Sequence, residues 1–159
     1  MPETPSFLSE RLKTEGEKTA AFFASLTDDQ WQAAVYTEGA TWTIRNVLAH
    51  YVTAEKGFLK LFPSIRDGGP GARADFDIDR YNASQQEKTR DFTPQELLAQ
   101  FRAVRAEMVA WVASLTEADL QKQGRHPFLE QTTLAEMIKM VYRHNQIHYR
   151  DLRKIMSEE

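Results

Sequence analysis

The chain is 159 residues long, 42% apolar and 27% charged, with a formal net charge of −3 and no cysteine. That length is one domain's worth, and the balance of apolar and charged residues excludes disorder and fibrous repeats. The acidic balance without a dense Lys/Arg cluster argues against a nucleic-acid partner, and the missing cysteines exclude disulfides, thiolate metal ligands and a cysteine nucleophile.

Met1 to Ser9 lacks the basic-then-apolar pattern of a secretory signal, and no stretch of about 18 apolar residues is present, so the expected location is cytoplasmic with no membrane partner. Phe7, Leu8, Leu12, Phe22, Phe23 and Leu26 predict a first helix over roughly 6–26. A second begins after Thr41, with Trp42 and Thr43 at its start, carries Ile44, Val47, Leu48, Tyr51, Phe58 and Phe62 on one stripe, and ends before Pro63. Five of the chain's prolines and glycines (Pro63, Gly68, Gly69, Pro70 and Gly71) then mark one long loop over 63–79. The third helix opens at Thr93-Pro94, a capping residue followed by proline at the first helical position. The fourth opens near Thr132 or Thr133, where Glu136 completes a capping box with Thr133, and runs to about Met156. Four such helices describe an all-α four-helix bundle.

An internal repeat supports this reading. Ala24-Ser25-Leu26-Thr27-Asp28-Asp29-Gln30-Trp31-Gln32 recurs as Ala113-Ser114-Leu115-Thr116-Glu117-Ala118-Asp119-Leu120-Gln121, each copy leading into a Thr-initiated helix. The bundle is therefore expected to consist of two pseudo-symmetric helical hairpins, and His50 and His144 fall in related positions of the two copies.

Histidine placement carries the functional signal. His144 and His148 are four apart, so their rings share one helix face, at a spacing that lets two imidazoles hold one metal ion. Leu134, Met137, Ile138, Val141, Leu152 and Ile155 make that face apolar, which turns the pair toward the bundle interior. His50 lies at the margin of the second helix's stripe, where small Ala54 and Gly57 leave room for a ligand. Three imidazoles leave a coordination position open, as catalytic sites do. His126, in a Gly-Arg-His-Pro turn, reads as a surface or rim residue.

Asn145 stands where His-Glu-x-x-His peptidases carry their base, so peptidase chemistry of that type is disfavoured. Asp151 is a candidate base or an orienting carboxylate behind a ligand; an exposed partner for Arg150 or Lys154 is the alternative. Tyr51 and Glu55, close behind His50, are candidate pocket-lining residues, with core packing the alternative for Tyr51.

The run Trp42-Thr-Ile-Arg-Asn-Val-Leu-Ala-His50, the Leu-Thr-Asp-Asp-Gln-Trp turn before it, and Tyr142-Arg-His-Asn-Gln-Ile-His148 resemble the DinB/YfiT-like superfamily over nearly the whole chain. The resemblance implies a four-helix bundle holding a divalent metal, zinc or nickel, through His50, His144 and His148; an all-nitrogen site would by its ligand chemistry also tolerate iron. It further implies a homodimer and a metal-dependent hydrolase, or an enzyme that uses an exogenous low-molecular-weight thiol, acting on a small-molecule substrate. A non-catalytic protein that anchors a small ligand on its metal, or keeps the metal as a structural pin, is the other class of function. By the same analogy Asn82 lines the pocket, with a helix-capping role as its alternative.

Overall fold

The computed structural model of the chain describes residues 3–157. In chain order it contains α1 (Pro5–Ala24), the short α2 (Asp28–Trp31), a hairpin of β1 (Ala34–Tyr36) and β2 (Trp42–Thr43), and α3 (Ile44–Arg66). There follow α4 (Ile78–Thr89), α5 (Pro94–Ala113), a 3-10 turn over Asp119–Gln121, a hairpin of β3 (Gln123–His126) and β4 (Glu130–Thr133), and α6 (Leu134–Ser157).

Each long helix starts on a threonine. Thr4 accepts from Phe7 N, Thr43 forms a capping box with Asn46, Thr93 forms one with Glu96, and Thr133 Oγ1 accepts from Glu136 N at 3.3 Å. These hydroxyls pair amides that the first turn leaves without partners.

The repeat is visible in three dimensions. In each copy a long helix leads to a short acidic turn, a two-stranded antiparallel hairpin and a second long helix. The pairing of the long helices is crossed, however. α5 packs against α1 and α3, and α6 packs against the same two, so the long helices of one copy stand at opposite corners of the bundle instead of side by side.

Pro63 lies inside α3, which continues to Arg66 instead of stopping before the proline. The lost amide falls in the last turn, where burial of Phe62 and Ile65 favours continuing the helix. The segment over 63–79 is correspondingly shorter as a loop, and its far end enters α4, capped by Asp77, which accepts from Arg80 N at 3.1 Å. Gly71 staples the remaining loop to β3. Ala72 N donates to Arg125 O at 2.7 Å and Arg125 N donates to Pro70 O at 2.9 Å, so strand-like contacts flank the glycine. At φ +92° a Cβ on Gly71 would lie 2.5 Å from the Arg125 backbone, which is why only glycine fits here.

The core is divided by a polar layer. Leu8, Leu12, Phe62, Met108, Met137 and Ile138 fill one half, and Phe23, Ile44, Leu48, Leu97, Phe101 and Leu152 fill the other. Between them Arg105 donates to Glu55 through Nε and Nη2, both at 2.8 Å, and Nη2 also donates to Asn145 Oδ1 at 2.7 Å. Its Nη1 donates to the Leu12 carbonyl at 3.1 Å. Gly16 admits this side chain, since a Cβ there would come within 2.7 Å of Arg105 Cγ. A buried charge is tolerable when it is paired and hydrogen-bonded, as Arg105 is through each of its three guanidinium nitrogens.

Candidate metal centre

His50 comes from α3, and His144 and His148 come from successive turns of α6, packed against it. His144 Nε2 lies 3.0 Å from His50 Nε2 and 3.1 Å from His148 Nε2. Nitrogens bound tetrahedrally to one ion at the usual metal–nitrogen distance stand about 3.3 Å apart, so both distances from His144 are near coordination spacing, and all three ligand nitrogens lie within 4.8 Å of one another.

Hydrogen bonding alone does not satisfy this cluster. The Tyr36 hydroxyl donates to Asp151 Oδ2, and its oxygen lies 2.8 Å from His148 Nδ1. That assigns the His148 proton to Nδ1, where it donates to Tyr36, and leaves Nε2 as a bare lone pair facing the other rings. One proton on His144 Nε2 serves only one of its two neighbours well, so lone-pair density stays unpaired at the centre, which a cation satisfies. Burial, with the charge of neighbouring histidines second, holds His50 at about 3 and His144 at about 2 against an ordinary 6.5. Burial also lowers His148, against the opposing pull of Asp151. The rings are therefore neutral, as ligands must be. The residues present fit a divalent metal.

The triad forms part of the wall of a cavity of about 650 Å³. Ala54, Gly57 and Leu61 on α3 provide the space, and Phe58, Phe76, Tyr81 and Phe128 provide aromatic walls. Tyr36 and Trp42, from the β1–β2 hairpin, close the side next to His50 and His148.

The DinB superfamily profile matches residues 11–152. The chain belongs to the DinB superfamily. Among solved structures it is similar to YfiT from Bacillus subtilis, a probable metal-dependent hydrolase with an unusual four-helix bundle topology. The TM-score is 0.73 at 19% identity, covering 94% of this chain and 86% of that one. An uncharacterised protein from Escherichia coli UTI89 superposes with a TM-score of 0.78 at 15% identity, over 99% of this chain and 95% of that one. The colibactin self-resistance protein ClbS, whose structure is a complex with a dsDNA, gives 0.74 at 13% identity, over 99% and 96%. At these identities the likeness shows the fold alone. No curated protein matches the chain by sequence. Among the described residues no helix is long and apolar enough to cross a membrane.

Within this DinB bundle the remaining candidate residues separate. Asn82 lines the cavity; the helix it sits on is capped by Asp77 instead. Asp151 stands behind His148, held through Tyr36, and does not line the cavity. Tyr51 is 2% exposed and donates to the Asn145 carbonyl at 3.0 Å, so its ring supports the histidines from behind without lining the cavity. Glu55 is not in the lining either, because its carboxylate is committed to Arg105 inside the bundle.

His126 is a correction. It is 1% exposed, stacked on Phe58 at 5.2 Å and edge-on to Phe128 at 4.3 Å, not a surface or rim residue. The tight β3–β4 turn folds over it, and its Nδ1 accepts from Phe128 N at 3.3 Å and Leu129 N at 3.2 Å. Burial pushes it down to about 4.

Tyr36, Phe128 and the place of Trp42 beside His50 escaped the sequence reading. Their signal was the short alternating runs around Gly39 and after Gly124, which mark hairpins, but strands this short lie below what periodicity resolves.

Proposed function

We propose that the chain is a metal-dependent enzyme that hydrolyses a small electrophilic substrate at a divalent ion held by His50, His144 and His148. The observation that supports this most is the three-nitrogen cluster opening into a cavity. The metal-ligating group among the described residues consists of these three histidines, and the nearby carboxylate, Asp151, is occupied by Tyr36. A purely structural site closes its coordination with a fourth protein ligand, whereas a catalytic one keeps a position free.

Zinc, nickel or iron suits an all-imidazole site, and such an ion supplies Lewis acidity that acidifies a water or thiol nucleophile. The chain's own residues do the rest. Tyr36 and Asp151 fix the His148 tautomer, Tyr51 and Trp42 flank the rings, and the aromatic walls exclude water around the substrate. Because the chain has no cysteine, the thiol-dependent alternative needs a borrowed thiol in the open position.

The reading is tested on protein purified without added metal. Metal content is expected to be stoichiometric and to fall to background in His144→Ala with helicity unchanged. Hydrolysis of a panel of activated esters, amides and epoxides is expected to vanish with chelation and return with one metal. Unchanged metal content in His144→Ala would remove the metal centre, and turnover seen only with mycothiol, bacillithiol or glutathione would move the reaction to thiol transfer.

A further inference from the structure

We infer that the cavity selects a flat aromatic molecule whose body is uncharged and which carries a single metal-seeking group, and that its side-chain walls disfavour anionic groups placed away from the histidines. Only the metal-seeking group rests on the metal-centre reading above; the rest follows from the walls. Trp42, Phe58, Phe76, Tyr81 and Phe128 present aromatic rings to the space, and among the described residues neither lysine nor arginine lines it. The one lining carboxylate among the described residues is Asp79, exposed on α4. In the metal-free protein an anion entering here finds no counter-charge on the side-chain walls and meets Asp79, while desolvation goes uncompensated. An aromatic body instead gains apolar burial and edge or stacking contacts. At about 650 Å³ the cavity has the size of sites that enclose drug-sized ligands.

The mouth has the same character. Phe76, Phe128 and Ile147 all line the cavity yet remain substantially exposed, Ile147 by 48%. Apolar surface is therefore continuous from the rim to the histidines, and Asn82 is an uncharged polar group on the α4 side that can orient a hydroxyl, carbonyl or amide. Thiols that carry phosphates or several carboxylates fit this lining poorly, which restricts any borrowed thiol to a weakly charged one.

The test uses chelator-treated and zinc-loaded protein, titrated calorimetrically with 2-naphthol, 2-naphthalenesulfonate, 2-naphthohydroxamate and acetohydroxamate. On chelator-treated protein 2-naphthol is expected to bind at least about tenfold tighter than the sulfonate. Equal or tighter sulfonate binding would overturn the inference. Zinc is expected to tighten 2-naphthohydroxamate by a further factor of about ten and to leave it well ahead of acetohydroxamate. A naphthol preference with no gain from zinc would remove the metal reading and leave the aromatic selectivity standing. A zinc-dependent gain shared equally by acetohydroxamate would do the reverse. Ile147→Lys, at an exposed helical position, places an ammonium on the rim and is expected to bring the sulfonate to within about threefold of 2-naphthol. Unaltered selectivity in that variant, with its fold intact by circular dichroism, would count against charge exclusion.

Discussion

Tyr36 and Asp151, 115 residues apart, share a hydrogen bond that sets the Tyr36 oxygen 2.8 Å from the outer nitrogen of His148. The relationship couples a hairpin between two bundle helices to one imidazole of the triad. Removing the hydroxyl in Tyr36→Phe keeps the ring against Trp42 but frees His148 to take either tautomer. Metal affinity, measured by competition with a chromophoric chelator, is expected to fall about 10- to 100-fold with thermal stability nearly unchanged. Wild-type affinity in that variant would show that the contact does not orient His148.

Burial of imidazoles gives the metal-free protein a defined pH response. His50, His126 and His144 titrate natively at about 3, 4 and 2, all below the ordinary 6.5 that they recover on unfolding. Below about 6.5 the unfolded chain therefore binds protons that the native one refuses, so their contribution is complete above that pH and is lost as pH falls toward the native values. The urea midpoint of chelator-treated protein should drop steadily from about pH 7 to about pH 4, and a flat profile would contradict native neutrality.

The polar layer is expected to be intolerant of half-removal. Arg105→Leu strands the Glu55 carboxylate between two apolar clusters and should cost about 3–5 kcal/mol in chemical denaturation. Glu55→Leu combined with Arg105→Leu should recover most of that loss. If the double variant proves no more stable than the single one, the cost lies in packing around Gly16 and Asn145 and not in the stranded charge.

Gly71→Ala tests the loop staple. A methyl group 2.5 Å from the Arg125 backbone cannot be accommodated in place, so the loop should lift from β3. Hydrogen exchange at the Ala72 and Arg125 amides is expected to accelerate by at least about tenfold while amides in α1 and α5 keep their protection. Unchanged exchange would mean that the staple relocates instead of opening.

Much of the bundle was legible because threonine caps and apolar stripes are local. Thr43, Thr93 and Thr133 mark helix starts within a few residues, and the i, i+4 spacing of His144 and His148 fixes a shared face before any tertiary contact is known. What was hidden depends on partners far along the chain. Glu55 beside His50 looks like a pocket residue until Arg105, 50 positions on, claims it. α4 has little apolar periodicity, with Ile78 and Tyr81 its main apolar side chains, so the stripe that marks the other helices is missing there. His126 before Pro127 has the local signature of an exposed turn, and only the fold of the hairpin over Phe58 buries it.

The crossed pairing of the two repeats gives the histidine triad a mechanical meaning. His50 belongs to the second helix of one copy and His144 and His148 to the second helix of the other, so the cluster sits across the seam between the halves. An ion gripped there would act as a rivet through that seam. Sliding of α3 along α6 by even part of a helical turn would pull one nitrogen out of reach, so with an ion bound, occupancy and alignment of the halves would be one equilibrium, and free metal concentration would set how firmly the duplicated halves hold together.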